Sequence, residues 1–339
     1  MPKTLITSEI ELKTVGKQFG YLRVPHSVHE SAYGWIPVPI TSIKNGDGPV
    51  ILLLAGVHGD EYEGQIALTK LVRDLSAEEV HGQLIVLTMA NYHAAQSGRR
   101  TSPVDDGNLN RSFPGDPHGT PTQMIADYIE NTLLPGCDYL IDLHSGGASL
   151  FYHATLLRGQ GHTPDETRQL GQLQEAFDLP YAWIFTSGGG PGSTARTAMG
   201  AGNRNGVVSV MAELGGAGTV SPEILAATVR GLERVLISLA MLPGRELDSP
   251  RGTREMNAVG TIPVYDNGLF EPRKNIGDAV AEREVVGLIH FPDTPLREPI
   301  KVVSNLEGVV LCKRPLGQVQ RGDVIYQLAR DAVPPQGKS

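Results

Sequence analysis

Four polar residues stand directly after apolar runs that are typical of buried β-strands. His58 and Glu61 follow one such run, His144 follows a second and Glu213 follows a third. Open α/β sheets bind ligands at the carboxyl ends of their strands, so these side chains are candidates for one shared site. Two imidazoles and one carboxylate can hold a zinc ion and leave a fourth position for water or substrate. Glu213 could then serve as a general base.

The sequence also allows a purely structural interpretation. Asp60 and Glu61 would suit the first turn of a helix after the strand, because acidic side chains stabilise a helix N-terminus. His144 could be a hydrogen-bonded polar residue at a strand end, and Glu213 could pair with an arginine. The recurrence of polar residues after three separate strands favours the functional interpretation.

A long aperiodic segment at 92–119 is rich in Gly, Pro, Asp, Asn and Arg. A loop of this length inside a compact domain is usually functional or disordered. It contains Arg99, Arg100 and Arg111, with Asn110 beside the last. A guanidinium group can stabilise a developing oxyanion, and it can bind a carboxylate through two hydrogen bonds.

Strand and helix patterns alternate around these residues. Gly56, Gly59 and Gly64 would let the backbone turn sharply after the first strand. The apolar runs predict strands at 50–54, 83–89, 139–143 and 207–212, and helical periodicity predicts helices at 64–75, 123–134, 165–177 and 222–241. The alternation predicts an α/β domain with a doubly wound, mostly parallel sheet. Residues 1–48 are expected to form strands and turns.

The pattern changes after the last helix to short strands and turns. Asn275-Ile-Gly-Asp and Gln320-Arg-Gly-Asp are related phrases, and they resemble turns of the barrel-sandwich fold of biotinyl and lipoyl carrier domains. The carriers' modified lysine has no counterpart here, so no covalent cofactor is expected. We therefore predict a catalytic domain at 1–248, a small all-β, barrel-sandwich-like domain at 249–332 and a frayed tail at 333–339.

Composition narrows the class of protein. Of 339 residues, 19% are charged, and the net charge is −8 without any basic run, so no nucleic-acid partner is expected. The N-terminus has no signal-peptide pattern, and no apolar stretch reaches the roughly 18 residues of a membrane span. Cys137 and Cys312 lie far apart and are expected to be reduced thiols. These features predict a cytoplasmic protein without a membrane partner, and a homo-oligomer is compatible with them.

The segment Ser187-Gly-Gly-Gly-Pro-Gly-Ser lacks Gly-Lys-Ser/Thr, so no phosphate loop is expected.

Four ordered motifs carry a resemblance to a known family. They are Gly56-x-His-Gly-Asp-Glu-x-x-Gly, then Gly98-x-Arg-x-x-Pro-x-Asp leading to Asn108-Leu-Asn-Arg-Ser-Phe-Pro-Gly, then Asp142-Leu-His, then Glu213-Leu-Gly-Gly. Together with the C-terminal β module, they resemble the succinylglutamate desuccinylase/aspartoacylase family of the zinc carboxypeptidase clan. The resemblance covers roughly residues 45 to 245.

The resemblance implies roles for seven residues. They are His58, Glu61 and His144 as ligands of one zinc ion per chain, Glu213 as general acid/base, Arg100 as the group that polarises the scissile carbonyl, and Asn110 and Arg111 as the pair that holds the substrate carboxylate. No motif places the residues that would recognise the acyl side. Arg196 and Arg204 are candidates for that role. Manganese, cobalt or iron could also occupy such a site.

The implied reaction is the removal of an acyl group, expected to be acetyl, from the nitrogen of an amino acid. The phrases beginning at Gly59, Asn108 and His144 look closest to the branch of the family that deacetylates N-acetyl-diaminobutyrate. Two other enzyme classes remain open, namely an N-succinylglutamate or N-acetylaspartate type of deacylase and a carboxypeptidase-like peptidase. A non-catalytic binding protein on the same scaffold is a further alternative, but the presence of all three ligands and the base argues against it.

Overall fold

The structure is a computed structural model that describes residues 3–185 and 194–332. The glycine-rich segment 187–193 and the expected tail 333–339 lie outside the described residues. The strands are β1 Thr7–Ser8, β2 Gly16–Pro25, β3 Trp35–Asn45, β4 Val50–Ala55, β5 Gly82–Leu87, β6 Tyr139–His144, β7 Phe151–Tyr152, β8 Thr155–Arg158, β9 Tyr181–Ile184, β10 Val208–Glu213, β11 Arg254–Pro263, β12 Gly268–Pro272, β13 Ala279–Val280, β14 Val285–His290, β15 Ile300–Val303, β16 Gly308–Lys313, β17 Gln318–Val319 and β18 Val324–Asp331.

The α-helices of the described residues are α1 Tyr62–Asp74, α2 Tyr92–Gln96, α3 Pro121–Tyr128, α4 Pro164–Phe177, α5 Ala198–Arg204 and α6 Pro222–Ser238. A π-helical turn at Ile129–Leu133 continues α3, and short 3-10 turns lie at Leu109–Arg111 and Thr194–Arg196. None of the described helices combines the length and the apolar character that crossing a membrane requires.

One large mixed sheet organises the chain. Its strand order is β1-β2-β3-β5-β4-β6-β10-β8-β9-β11-β18-β16-β13, and β7 pairs with β16. The strands β5, β4, β6 and β10 are mutually parallel, and β8, β9 and β11 form a second parallel run. However, β8 is antiparallel to β10. The expectation of a mostly parallel sheet is therefore wrong for the sheet as a whole.

The reversal at β8 has a simple cause in the chain connection. Only residues 145–154 separate β6 from β8, and they contain no helix. A parallel neighbour needs a crossover of about a dozen residues or more, usually helical, so this short link sends β8 back in the opposite direction. By contrast, α4 connects β8 to β9, and those two strands are parallel as expected.

Two apolar cores cover the two faces of the central sheet. Along β4, Ile51 and Leu53 pack with residues of α1, α4 and α6. The alternate residues Leu52 and Leu54 pack on the other side with residues of α3 and α5 and with the N-terminal strands. All four side chains are fully buried, which explains the uninterrupted apolar run that the sequence shows in this strand.

Most strand and helix predictions hold within a few residues, and the α/β class is confirmed. The strands and α-helices between residues 50 and 248 that the sequence did not predict are short. They are β7 with two residues, β8 and β9 with four each, α2 with five and α5 with seven. Such segments carry too few residues to show a period of 2 or 3.6.

The C-terminal residues form the expected all-β module. β12, β14, β15 and β17 make a second sheet, and a core that draws on both sheets lies between it and the C-terminal strands of the large one. The two related phrases are matched turns, because Asp278 accepts a hydrogen bond from the backbone of Asn275 and Asp323 accepts one from Gln320. The large sheet crosses the predicted domain boundary at 248/249, since β11 pairs with β9.

Candidate metal centre and catalytic cavity

Three neighbouring parallel strands deliver the candidate reactive residues to one edge of the large sheet. On β4 and β6, Ala55 lies opposite Leu143, and on β10 and β6, Glu213 lies opposite His144. His58 follows β4 after two intervening residues. The structure therefore brings together side chains that are more than 150 residues apart in the sequence.

Two glycines shape the turn after β4. Gly56 adopts a left-handed conformation with φ +66°, which favours glycine over residues with a side chain. At Gly59 the requirement is space, because a Cβ atom would lie 1.9 Å from the carbonyl carbon of Ala94. The Gly59 amide also donates to the carbonyl oxygen of Arg99 at 2.9 Å. The turn that carries His58 is thus packed directly against the backbone of the arginine-rich loop.

A buried group of three side chains, which we call the metal group, could hold a metal ion. Ligand atoms of His58, Glu61 and His144 all lie within 4.8 Å of one another. The Glu61 carboxylate is 2.7 Å from His58 Nδ1 through Oε1, and 2.8 Å from His144 Nδ1 through Oε2. Two imidazoles and one carboxylate with their ligand atoms this close together match the donor set of a catalytic zinc site.

The outer nitrogens of both imidazoles have acceptors of their own. His144 Nε2 lies 2.8 Å from Asp142 Oδ2, and His58 Nε2 lies 3.1 Å from Asn108 Oδ1. An acceptor at Nε2 favours a proton there, which leaves the lone pair of Nδ1 free for a metal. The sequence interpretation assigned no role to Asp142 or Asn108. Their only signal was their place in the same motifs as the candidate ligands.

Electrostatics in this group favour an ionised carboxylate. Burial alone would raise the pKa of Glu61, but His58 and His144 hold it well below its usual range. Burial opposes a charged His144, but Asp142 and Glu61 raise its pKa well above the usual value. The group therefore has a strong affinity for positive charge at its centre. A metal ion bound there would compete with the proton on Nδ1.

Glu213 lies beside the metal group, and its pKa is shifted in the opposite direction from that of Glu61. Its Oε2 atom is buried and has no hydrogen-bond partner among the residues that the structure describes. Burial, followed by the negative charge of Glu61, raises the pKa of Glu213 to about 8. A carboxyl group with a pKa near neutrality can both accept and return a proton.

The arginines of the long loop occupy different places. Arg100 reaches the metal group, with Nη1 3.4 Å from His58 Nδ1 and 3.5 Å from Glu61 Oε1. Arg99 is exposed and does not line the cavity. Arg111 does line it, and burial, together with the charges of Arg100 and Arg196, lowers its pKa. This concentration of positive charge suits an anionic substrate group.

Asn110 is nearly fully buried beside Arg111. Its Oδ1 accepts a hydrogen bond from the Ala198 amide at the start of α5, and its Nδ2 lies 3.3 Å from His144 Nε2. The main-chain oxygen of Asn110 accepts a hydrogen bond from Arg111 Nη1 at 2.7 Å. The residue therefore connects α5 with the neighbouring guanidinium and lies in contact with a candidate metal ligand.

The two arginines without a motif are placed less favourably. Arg204 forms a two-point ion pair with Glu130, with both distances 2.7 Å. Arg196 is exposed and lies outside the lining of the cavity, although its charge is felt at Arg111. Neither residue is part of the cavity lining in this structure.

One cavity of about 830 Å³ contains all seven candidate residues. Its volume is within the range of small-molecule sites. The metal group, Glu213 and the arginines line one part of it, which we call the metal end. Trp183, Leu157 and Met211 also line the cavity, and they were not singled out from the sequence.

Comparison with known proteins confirms the family resemblance. Residues 47–239 match the family described as succinylglutamate desuccinylase/aspartoacylase catalytic domain. The chain is also 38% identical to the N-alpha-acetyl-L-2,4-diaminobutyric acid deacetylase of Halomonas elongata over 331 residues, which cover 96% of this chain and 94% of that protein. The chain belongs to the succinylglutamate desuccinylase/aspartoacylase family. It is a hydrolase of the deacylase class, acting on linear amide bonds.

Solved structures agree with this assignment. A succinylglutamate desuccinylase/aspartoacylase from Rhodobacter sphaeroides superposes with a TM-score of 0.89 at 35% identity, covering 97% of this chain and 99% of that one. The product-bound ectoine utilization protein EutE (DoeB) from Ruegeria pomeroyi gives a TM-score of 0.90 at 35% identity, covering 97% and 100%. The similarity thus includes both the catalytic core and the C-terminal β module.

Proposed function

We propose that this protein is a zinc-dependent deacetylase of N-acetylated amino acids, with N-acetyl-diaminobutyrate as the leading substrate. The observation that carries the proposal is the convergence of His58, Glu61 and His144 beside Glu213 in one cavity. The relative from Halomonas elongata supports the substrate, because its name specifies that acetylated amino acid and the similarity extends over nearly the whole chain.

The donor set fits a single zinc ion held by His58, Glu61 and His144. When bound, zinc would supply a Lewis acid and activate water for attack on the amide. Asp142 and Asn108 would keep the two imidazoles in the tautomer that presents Nδ1 to the centre.

The chain's own groups would carry the remaining steps. Glu213 would accept a proton from the attacking water and return it to the leaving nitrogen, for which a raised pKa is suitable. Arg100 would stabilise the negative charge that develops on the carbonyl oxygen. Arg111 would bind the substrate carboxylate, and Asn110 would fix the position of that guanidinium through its backbone oxygen.

The charge distribution in the cavity favours acetyl over a succinyl group. Arg100 and Arg111 are the guanidinium groups among the described lining residues, and the scheme above employs both. Among the described residues, Arg196 lies outside the lining and Arg204 is paired with Glu130, so neither is a lining cation that could neutralise an acidic acyl chain. The N-succinylglutamate or N-acetylaspartate type of reaction is therefore the weaker candidate, and the peptidase reaction has no specific support.

The proposal also includes the type of the core sheet, the domain limits and the location of the protein. We take the core as a doubly wound sheet of the zinc carboxypeptidase type, with domain limits at 1–248 and 249–332. Two unpaired cysteines, Cys137 and Cys312, are compatible with a cytoplasmic location. A homo-oligomer is compatible with these features.

A release assay on purified, metal-analysed protein tests the proposal. The panel is N-acetyl-diaminobutyrate, N-acetylaspartate, N-succinylglutamate and a short peptide, each with and without a chelator. We expect about one zinc per chain and chelator-sensitive acetate release from N-acetyl-diaminobutyrate. Faster release of succinate or of a peptide product would contradict the proposed substrate.

A further inference from the structure

Three apolar lining residues on β8, β9 and β10 take no part in the proposed reaction. Met211 on β10 is the register partner of Leu157 on β8, and Leu157 is the partner of Trp183 on β9. Paired residues on neighbouring strands point to the same face of a sheet. These three side chains, which we call the apolar row, form a continuous surface that lines the cavity.

The apolar row lies next to the reactive groups. Glu213 is two residues beyond Met211 on the same strand, so the two side chains share a face of the sheet. Trp183 is two strands away from β10 and in register with Met211, which places its Cα roughly 12 Å from that of Glu213. The space between them could hold the side chain of a small amino acid whose amide nitrogen faces Glu213.

An ammonium group in that space would find no uncommitted carboxylate. The acidic side chains that line the described part of the cavity are Glu61 and Glu213, and both have roles in metal binding or proton transfer. Burial raises the pKa of Tyr152 well above its usual value, and its hydroxyl donates to Gln327 Oε1 at 3.2 Å. Trp183, at the end of the apolar row, presents the ring type that binds cations best through its π face.

We propose that Trp183 determines specificity by binding a side-chain ammonium group of the substrate through a cation–π contact. The preferred substrate class would then be an N-acyl amino acid with a short aliphatic side chain that ends in an ammonium group. This inference rests on the proposed deacylase function. It adds a recognition residue for the leaving amino acid, outside the metal group and the arginines.

A kinetic comparison of two isosteric substrates tests the inference. N-acetyl-norvaline has nearly the same shape as N-acetyl-diaminobutyrate, but a methyl group replaces its ammonium. Trp183→Leu should reduce kcat/KM for N-acetyl-diaminobutyrate on the order of 2- to 30-fold more than for N-acetyl-norvaline, mainly through KM. Trp183→Phe, which keeps a weaker π face, should fall between Leu and the wild type.

Trp35→Leu is the matched control, because Trp35 and Trp183 are the two tryptophans of the chain and Trp35 lies on the N-terminal strand β3. It should not change the ratio of the two substrates. Equal losses for both substrates in Trp183→Leu would indicate a structural role and overturn the inference.

A binding experiment separates this inference from the proposed reaction. In Trp35→Phe, Trp183 is the only remaining tryptophan, so its fluorescence reports the apolar row directly. Diaminobutyrate should change that emission at a lower concentration than norvaline does. The same response to both amino acids, or to neither, would refute the cation–π contact. If the wild type released no acetate from N-acetyl-diaminobutyrate, the proposed substrate would fail, whatever this titration showed.

Discussion

The metal end of the cavity and the apolar row differ in how they are held and in what they can recognise. At the metal end, His58, His144 and Glu61 are buried and connected by hydrogen bonds to one another and to Asp142. The apolar row is positioned by strand register, and Trp183 also packs against a cluster of Met256, Leu311 and Ala329. The metal end is therefore suited to a fixed chemical step, and the apolar row to discrimination between substrates that share the same amide.

The strongest test of this contrast is Glu213→Gln. The amide cannot accept the proton of the attacking water, so kcat should fall on the order of 10²- to 10⁴-fold, while the zinc content stays near one per chain. Steady-state kinetics and metal analysis on the same sample check both parts. Glu246→Gln, at an exposed position, is the control and should leave kcat unchanged. Normal turnover in Glu213→Gln would remove this residue from the reaction.

Arg111→Gln tests how the metal end holds the substrate. Loss of a charged hydrogen-bond donor to a carboxylate should raise KM on the order of 10- to 100-fold, with a smaller change in kcat. Arg196→Gln is the matched control, because this arginine contributes charge near Arg111 but is exposed and outside the lining. Its KM should change by less than about threefold. A larger effect at Arg196 than at Arg111 would move the carboxylate site away from the long loop.

Asp142→Asn tests whether hydrogen bonds from behind the imidazoles tune the metal end. An amide holds His144 Nε2 less well, so zinc affinity should decrease roughly 10- to 100-fold. Competition with a chromogenic chelator measures this affinity without any assay of activity. Asp127→Asn changes a buried acid that lies in α3, outside the cavity lining, and should bind zinc normally. Equal zinc affinity in all three proteins would assign Asp142 a role in folding alone.

The same contrast explains what the sequence could predict. The metal end draws on β4, β6 and β10, whose apolar runs are long enough to recognise, and its polar residues stand at the ends of these runs. The apolar row depends on β8 and β9, each four residues long, and on pairings between distant segments. Nothing local in the sequence marks Leu157 or Trp183 as neighbours of Glu213.

Asp142 shows an intermediate case. It belongs to a recognisable motif, and its position two residues before His144 on a strand implies a shared face of the sheet. Its hydrogen bond to Nε2 nevertheless depends on the side-chain geometry of both residues, which the pattern does not contain. The sequence pattern also did not predict the antiparallel direction of β8, because that direction follows from a loop that is too short for a crossover.

The smallest expected effect concerns the backbone that supports the metal end. In Gly59→Ala, the new Cβ would lie 1.9 Å from the Ala94 carbonyl carbon, so the turn and the arginine-rich loop must separate. We expect the free energy of unfolding to decrease by about 1–3 kcal/mol, and the zinc affinity to decrease with it. Thermal or urea unfolding of the zinc-loaded protein measures the first effect, and chelator competition measures the second.

Gly171→Ala is the matched control for Gly59→Ala, and it should change the free energy of unfolding in the opposite direction. Gly171 lies inside α4, and a Cβ there would have no heavy atom within 4 Å. Alanine in a helix interior should increase the free energy of unfolding by roughly 0.5–1 kcal/mol, without any change in zinc affinity. If Gly59→Ala were as stable as Gly171→Ala and bound zinc equally well, the turn after β4 would not be fixed by its backbone contact. The metal end would then be less rigid than its hydrogen bonds imply. It would differ from the apolar row in the chemistry of its side chains but not in its rigidity.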